Sequence, residues 1–233
     1  MSLTSKYVFA APDPVSVPVL GQAARFPVHR IYCVGRNYAE HAREMGAEIE
    51  KGRPVFFMKP ADAVVSDGAD VAWPGATGNL HHEVELVIAL GAAGRPQNTD
   101  AALAMIYGYA VGNDLTRRDL QHECKSKGLP WDIAKGFDQS APLSAIRPWA
   151  AGQPHPTTGA ITLAVNGQIR QQADLAELIW SLPEILIELG KLYALKPGDL
   201  IYTGTPAGVG PLHVGDQVDA AIAGVGELHH RMV

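Results

Sequence analysis

The segment His81-His82-Glu83-Val84-Glu85 opens an apolar run, Leu86-Val87-Ile88-Ala89-Leu90, that Gly91 closes. A run this short and bounded by glycine predicts a buried strand. Strand side chains alternate, so Glu83 and Glu85 share one side while Val84 and Leu86 pack on the other. Two like charges at i and i+2 beside a buried strand repel and lose hydration unless a cation or protons neutralise them. A second apolar stretch, Tyr107 to Val111, runs into Gly112-Asn113-Asp114 and brings a third acid. Three carboxylates without a matching histidine or cysteine set suit a hard, oxygen-seeking divalent ion, Mg²⁺ or Mn²⁺. The same spacing also fits a strand rim whose acids face water, and spacing alone does not choose between the two.

A chain of 233 residues with 47% hydrophobic and 18% charged residues has the balance of a globular enzyme. Its net charge of −5, without a long basic run, argues against nucleic acid or an anionic membrane surface as the main partner. No apolar stretch approaches the roughly 18 residues that span a bilayer. The first twenty residues carry Pro12, Pro14 and Pro18 and no signal-peptide pattern. Two cysteines, Cys33 and Cys124, make no disulfide framework, and a reducing cytoplasmic location is expected. Cys33 lies in Ile31-Tyr32-Cys33-Val34 and reads as an inert core thiol.

Strand signals outnumber helical ones, and the expected class is α+β, rich in β, with a few short helices. Residues 1–27 read as a proline-punctuated lead-in with a short strand, and residues 28–233 as one catalytic domain. A helical patch follows Asn37, with Tyr38, Ala42, Met45 and Ile49 near one face. Val55-Phe56-Phe57-Met58 reads as a buried strand. Thr99 is the expected N-cap of a short helix, and Thr116-Arg117-Arg118-Asp119 starts another in the manner of a capping box. Alternating apolar residues from Ile161 run through Asn166-Gly167 to Ile169, the pattern of a two-residue hairpin. Ser181-Leu182-Pro183-Glu184 starts a helix through Leu189 that Gly190 ends. A short strand, the loop Gly204 to Pro211 and two final strands follow Asp199.

Several segments then match a family in order. They are Val34-Gly35-Arg36-Asn37-Tyr38, the His41 and Glu44 pair, Phe57-Met58-Lys59-Pro60, and Asn79 through Leu86. Asp114-Leu115-Thr116, Gln121, Gly128-Leu129-Pro130-Trp131 with Ala134-Lys135, Val165-Asn166-Gly167 and Tyr202 through Pro211 complete the set. Together they make the chain resemble the fumarylacetoacetate hydrolase superfamily, in its acylpyruvate and fumarylpyruvate hydrolase branch. The resemblance implies the mixed β-roll or β-sandwich fold of that superfamily and a homodimer. It further implies Mg²⁺ (or Mn²⁺) held by Glu83, Glu85 and Asp114, the same three acids that spacing singles out. It implies that His41 and Glu44 form a catalytic dyad on a lid, where spacing alone favours an ordinary i, i+3 surface pair. Gly46 and Gly52 flank that lid. Lys135 joins the catalytic set, and Arg36, Lys59, Gln121 and Thr205 fall at family positions that line the substrate pocket.

A 1,3-diketo acid can chelate a divalent ion through neighbouring oxygens, which polarises its carbonyls. The expected reaction is hydrolysis of a carbon–carbon bond in such an acid, most closely fumarylpyruvate to fumarate and pyruvate. Arg117 and Arg43 are the cations expected near its second carboxylate. Hydrolysis of another acylpyruvate, or decarboxylation of oxaloacetate, uses the same metal set and stays open, as does a non-catalytic metal-binding role. Residues 140–150 and the helix from Ser181 to Leu189 are candidate contributors to the dimer contact.

Overall fold

The computed structural model describes residues 7–44, 46, 51–66 and 68–233. The strand Val84–Leu90 is the centre of the molecule and is buried along its whole length. It pairs antiparallel with Ile106–Asn113 on one side and with Leu200–Tyr202 on the other. The full sheet has eight strands. Their order is Val55–Lys59, Ile31–Gly35, Leu200–Tyr202, Val84–Leu90, Ile106–Asn113, Ala141–Leu143 and Val64–Ser66, with Arg147–Pro148 also paired to Ile106–Asn113. Alternation along Val84–Leu90 splits its side chains between two cores. Val84, Leu86, Ile88 and Leu90 pack in a large one, with Ile161, Leu163 and Ile185. Val87 and Ala89 pack in a smaller one, with Ile31, Cys33 and Tyr202.

A second sheet covers the large core. Its order is Gln168–Asp174, Ala160–Val165, Gln217–Ile222 and Gly226–Arg231, all antiparallel. The expected hairpin turns at Asn166 (φ 52°) and Gly167 (φ 76°), both left-handed as that turn requires. The apolar alternation does not carry across it. A register shift at Leu163/Ala164 leaves Ile169 exposed and turns Gln171 inward. Among the described residues, five α-helices are short by comparison: α1 (Ala39–Glu44), α2 (Thr99–Leu103), α3 (Arg118–Lys127), α4 (Asp132–Lys135) and α5 (Leu182–Leu192). Among the described residues, no helix is long and apolar enough to cross a membrane.

Several local expectations need correcting. Val55–Lys59 is an edge strand, so Val55 and Met58 are exposed and only Lys59 is buried. Asn98, one residue before Thr99, caps α2 by accepting from the Ala101 amide at 2.9 Å. Thr116–Arg117 pairs as a strand with Leu80–His82, and α3 starts only at Arg118. The Asp119 carboxylate accepts from the Thr77 hydroxyl and the Gly78 amide instead of closing a capping box. The Ser181–Glu184 capping box does form, but α5 runs through Gly190 to Leu192. There the missing side chain admits Pro96, whose Cδ would lie 2.9 Å from a Cβ. The lead-in contributes two strands, Ser16–Pro18 and Arg25–Pro27, and places Val17 and Phe26 in the smaller core. Met45 and Ile49 of the expected helical face lie outside the described residues. Most apolar residues of 140–150 and of α5 lie in the chain's own cores, with Trp149 and Ile187 partly buried and Leu192 exposed.

Candidate active site

Glu85 sits opposite Gly112 in the central pair, and Glu83 precedes the strand. Asp114 follows the partner strand, with its amide donating to the Glu83 carbonyl at 2.8 Å. The three carboxylates are buried, and one oxygen from each lies within 4.8 Å of the others. The expectation from alternation therefore holds, and the alternative of a solvated strand rim does not.

Cations answer this concentration of charge. Lys135 donates to Glu83 Oε2 and Asp114 Oδ2, both at 2.7 Å. Arg118 donates to Glu83 Oε1. Burial alone would raise the Glu83 carboxyl, but Lys135 and Arg118 overcome it and hold the group far below the usual carboxylate range. Burial would likewise lower Lys135, and Asp114 and Glu83 more than reverse it, so the ammonium stays charged. Among the described residues, no cation forms an ion pair with Glu85. Burial, then Asp114 and Glu83, push its carboxyl well above the normal range, although it accepts from the Gly204 amide at 2.7 Å. Asp114 Oδ1 pairs with the Lys59 ammonium at 2.8 Å. Three buried carboxylates converging within 4.8 Å, with Glu85 accepting from a single backbone amide, are what a hard divalent ion would satisfy. The donor set fits Mg²⁺ or Mn²⁺.

The cavity above the acids brings together Arg36, His41, Gln121, Lys135 and Thr205 of the expected site. Lys59 is not on its wall. It lies behind Asp114, with its ammonium also donating to the carbonyls of Leu115 and Lys135, so it braces the cluster from the protein side. Arg36 has a left-handed backbone (φ 63°), a conformation that non-glycine residues adopt at a cost and often at functional sites. His41 Nδ1 and Glu44 Oε2 are 3.1 Å apart, which fixes Nδ1–H as the donor and leaves Nε2 with its lone pair. Burial is the largest influence on His41 and lowers its pKa, so the ring is the free base at neutral pH. The other Glu44 oxygen accepts from the Gly208 amide at 3.1 Å and fastens α1 to the Gly204–Pro211 loop.

Two buried amides shape this loop. Asn37 donates to the carbonyls of Trp180 and Thr203 and accepts from the Trp180 amide. Gln171 donates to Thr205 Oγ1 and the Pro206 carbonyl, and accepts from the Val84 amide and His82 Nδ1–H. Gly204 (φ 104°) passes so close to Asn37 that a Cβ would lie 2.5 Å from the Asn37 Cβ. Arg117, expected near a distal carboxylate, turns away to the Ile133 carbonyl and stacks on Phe137. Arg43 pairs with Glu40 on the surface. Arg118, Lys125 and Trp131 take their place on the cavity wall. The signal for the first two was the i, i+3, i+7 spacing of Arg118, Gln121 and Lys125, readable only once the start of α3 is known.

Residues 30–233 match the family model described as fumarylacetoacetate (FAA) hydrolase C-terminal. The oxaloacetate tautomerase FAHD1, mitochondrial, of Mus musculus is 44% identical over 202 residues, 87% of this chain and 90% of that protein. The oxaloacetate tautomerase YcgM of Escherichia coli is 40% identical over 204 residues, 88% of this chain and 93% of that one. Among solved structures, the fumarylpyruvate hydrolase from Pseudomonas aeruginosa in complex with Mn²⁺ and pyruvate has a TM-score of 0.94 and 47% identity. That match covers 98% of this chain and 99% of the other.

Proposed function

The chain belongs to the fumarylacetoacetate hydrolase family, and we propose that it hydrolyses the carbon–carbon bond of a 1,3-diketo acid, fumarylpyruvate, to fumarate and pyruvate. The observation that carries this reading is the His41–Glu44 pair facing the Glu83–Glu85–Asp114 cluster across one cavity. Glu83, Glu85 and Asp114 would hold Mg²⁺ or Mn²⁺, which when bound supplies Lewis-acid polarisation of the diketo oxygens, worth several kcal/mol. His41 Nε2 takes a proton from water, whose oxygen attacks the carbonyl carbon next to the unsaturated arm. Glu44 steadies the resulting imidazolium through Nδ1–H. The bond to the methylene carbon of the pyruvate half then breaks, and that carbon receives the proton. Lys135 keeps two of its three N–H bonds on Glu83 and Asp114 and offers the third to a substrate oxygen.

The tautomerase relatives favour a second reading, in which the same His41 moves a proton between carbon and oxygen of oxaloacetate without adding water. Loss of enol absorbance from fumarylpyruvate, acetylpyruvate and oxaloacetate, with Mg²⁺ and with a chelator, separates the two when products are identified. Metal-dependent release of fumarate and pyruvate is the expected result. Interconversion of oxaloacetate tautomers with no cleavage of either acylpyruvate would replace hydrolysis by the second reading.

A further inference from the structure

The cavity wall carries four cationic side chains, Arg36, Arg118, Lys125 and Lys135, against the three carboxylates of the cluster. A divalent ion would enlarge that positive excess, so the site as a whole favours a substrate with more than one negative charge. The cations are not equally available. Lys135 has two of its three N–H bonds on Glu83 and Asp114, at the metal-ligand end of the cavity. Arg118 donates to Glu83 Oε1, to Gln121 Oε1 at 2.6 Å and to His81 Nδ1 at 3.3 Å. Arg36 and Lys125 have no carboxylate or carbonyl partner among the described residues; Arg36 is exposed, whereas Lys125 is half-buried with its ammonium 5.2 Å from the centre of the Trp131 ring. Arg118, Gln121 and Lys125 share one face of α3. Helical rise sets Lys125 about 10 Å along the axis from Arg118, away from the acids. Trp131 packs on Phe57 at 5.7 Å, and both line the same cavity.

We infer that Lys125 is the specificity-determining residue of this site, binding the far carboxylate of a diketo diacid whose near end lies at the Glu83–Glu85–Asp114 cluster. The inference rests on the diketo-acid reading above and names the part of the substrate that reading leaves unassigned. The Lys125 ammonium lies over the Trp131 ring and both residues line the cavity, a cation–π contact that leaves the cation's remaining N–H groups for a ligand. Burial, then Arg118 and Arg36, push the Lys125 pKa down to about 8. An arriving carboxylate relieves that repulsion.

Calorimetry with full-length, Mg²⁺-loaded protein reads this directly, using 2-oxoheptanedioate and 2-oxoheptanoate, which differ only in the far carboxylate. Wild type is expected to bind the diacid about 10–100-fold more tightly, the worth of a charge-assisted hydrogen bond. Lys125→Gln should bring that ratio close to one, and Lys125→Arg should retain most of it. No preference in wild type, or a preference that survives Lys125→Gln and disappears in Arg36→Gln, overturns the assignment. So does equal weakening of both ligands by Lys125→Gln, which makes the residue a support of cavity shape. Failure of the diketo-acid reading has a different signature: wild type cleaves no acylpyruvate, whatever the two affinities are.

Discussion

At the scale of single residues, the site is a problem of charge placed in a dry interior. The acids survive there because each finds a different compensation: Glu83 two cations, Asp114 the two lysines around it, Glu85 a backbone amide and the region where an ion fits. His41 is the group whose chemistry depends on staying neutral. If it activates water with Glu44, His41→Ala should lower kcat by roughly 10²–10⁴, the usual worth of a positioned base. Glu44→Ala added to it should cost little more, because the two act as a unit. Stabilisation of the fold by Mg²⁺, read as a shift in Tm, should persist in both variants, since neither residue belongs to the acid cluster. A fall in kcat that multiplies between the two substitutions would give Glu44 a separate role in holding α1. Much of this residue set was legible in the chain. Alternation alone marked Glu83 and Glu85, and a family pattern marked His41, Glu44 and Lys135. Lys59 was misplaced because a buried lysine after a strand can either face a cleft or brace its floor. Only the positions of Asp114, Leu115 and Lys135 around it decide that.

Elements matter here through how they meet. The Gly204–Pro211 loop, α1 and the strand Gln168–Asp174 converge at Gly208. Its φ of 94° and a Cβ position only 2.1 Å from the Arg170 carbonyl oxygen leave no room for a side chain. Gly208→Ala should therefore destabilise the protein by at least about 2 kcal/mol. It should also lower kcat, because the displaced amide no longer holds Glu44. Urea unfolding and steady-state kinetics check both, and an unchanged urea midpoint would mean the loop shifts freely away from Arg170. The sequence announced the hairpin at Asn166-Gly167 and the cap of α5, where local chemistry determines the outcome. It did not reveal that Gln171 faces inward. That depends on a bulge at Arg170 in its own strand, and inward glutamine is acceptable only because Thr205, Pro206, Val84 and His82 supply its partners.

Across the whole molecule, the second sheet reaches the site through Gln171 and, at its other side, through the buried His230. His230 Nε2 accepts from Asn113 Nδ2 at 3.0 Å, and Asn113 Oδ1 accepts from the Glu83 amide at 2.8 Å. The asparagine cannot turn over without losing the Glu83 amide, so the ring must stay neutral, and burial holds its pKa near 4. The unfolded chain binds this proton at about pH 6.5. Stability from His230 is thus complete above about pH 6.5 and lost as pH falls towards 4. Between pH 7.5 and 5, wild type should lose about 2 kcal/mol more than His230→Gln, whose amide oxygen can still accept from Asn113. Equal losses in denaturant titrations at the two pH values would exclude this residue from the acid limb. Nothing in the local sequence Leu228-His229-His230 separates the two histidines. Strand alternation puts one in solvent and the other in the core only once the pairing with Gln217–Ile222 is known.

Glu44 divides its two oxygens between the imidazole and the Gly208 amide. Under the proposed chemistry, this makes one carboxylate both latch and trigger. Were α1 to leave the loop, His41 would depart with it, and no oriented base would face the acids. Were it to return, the carboxylate that joins α1 to the loop would also set the tautomer that can accept water's proton. Closure and readiness are then a single event, and a substrate too long or too bulky to let α1 seat meets an unarmed enzyme.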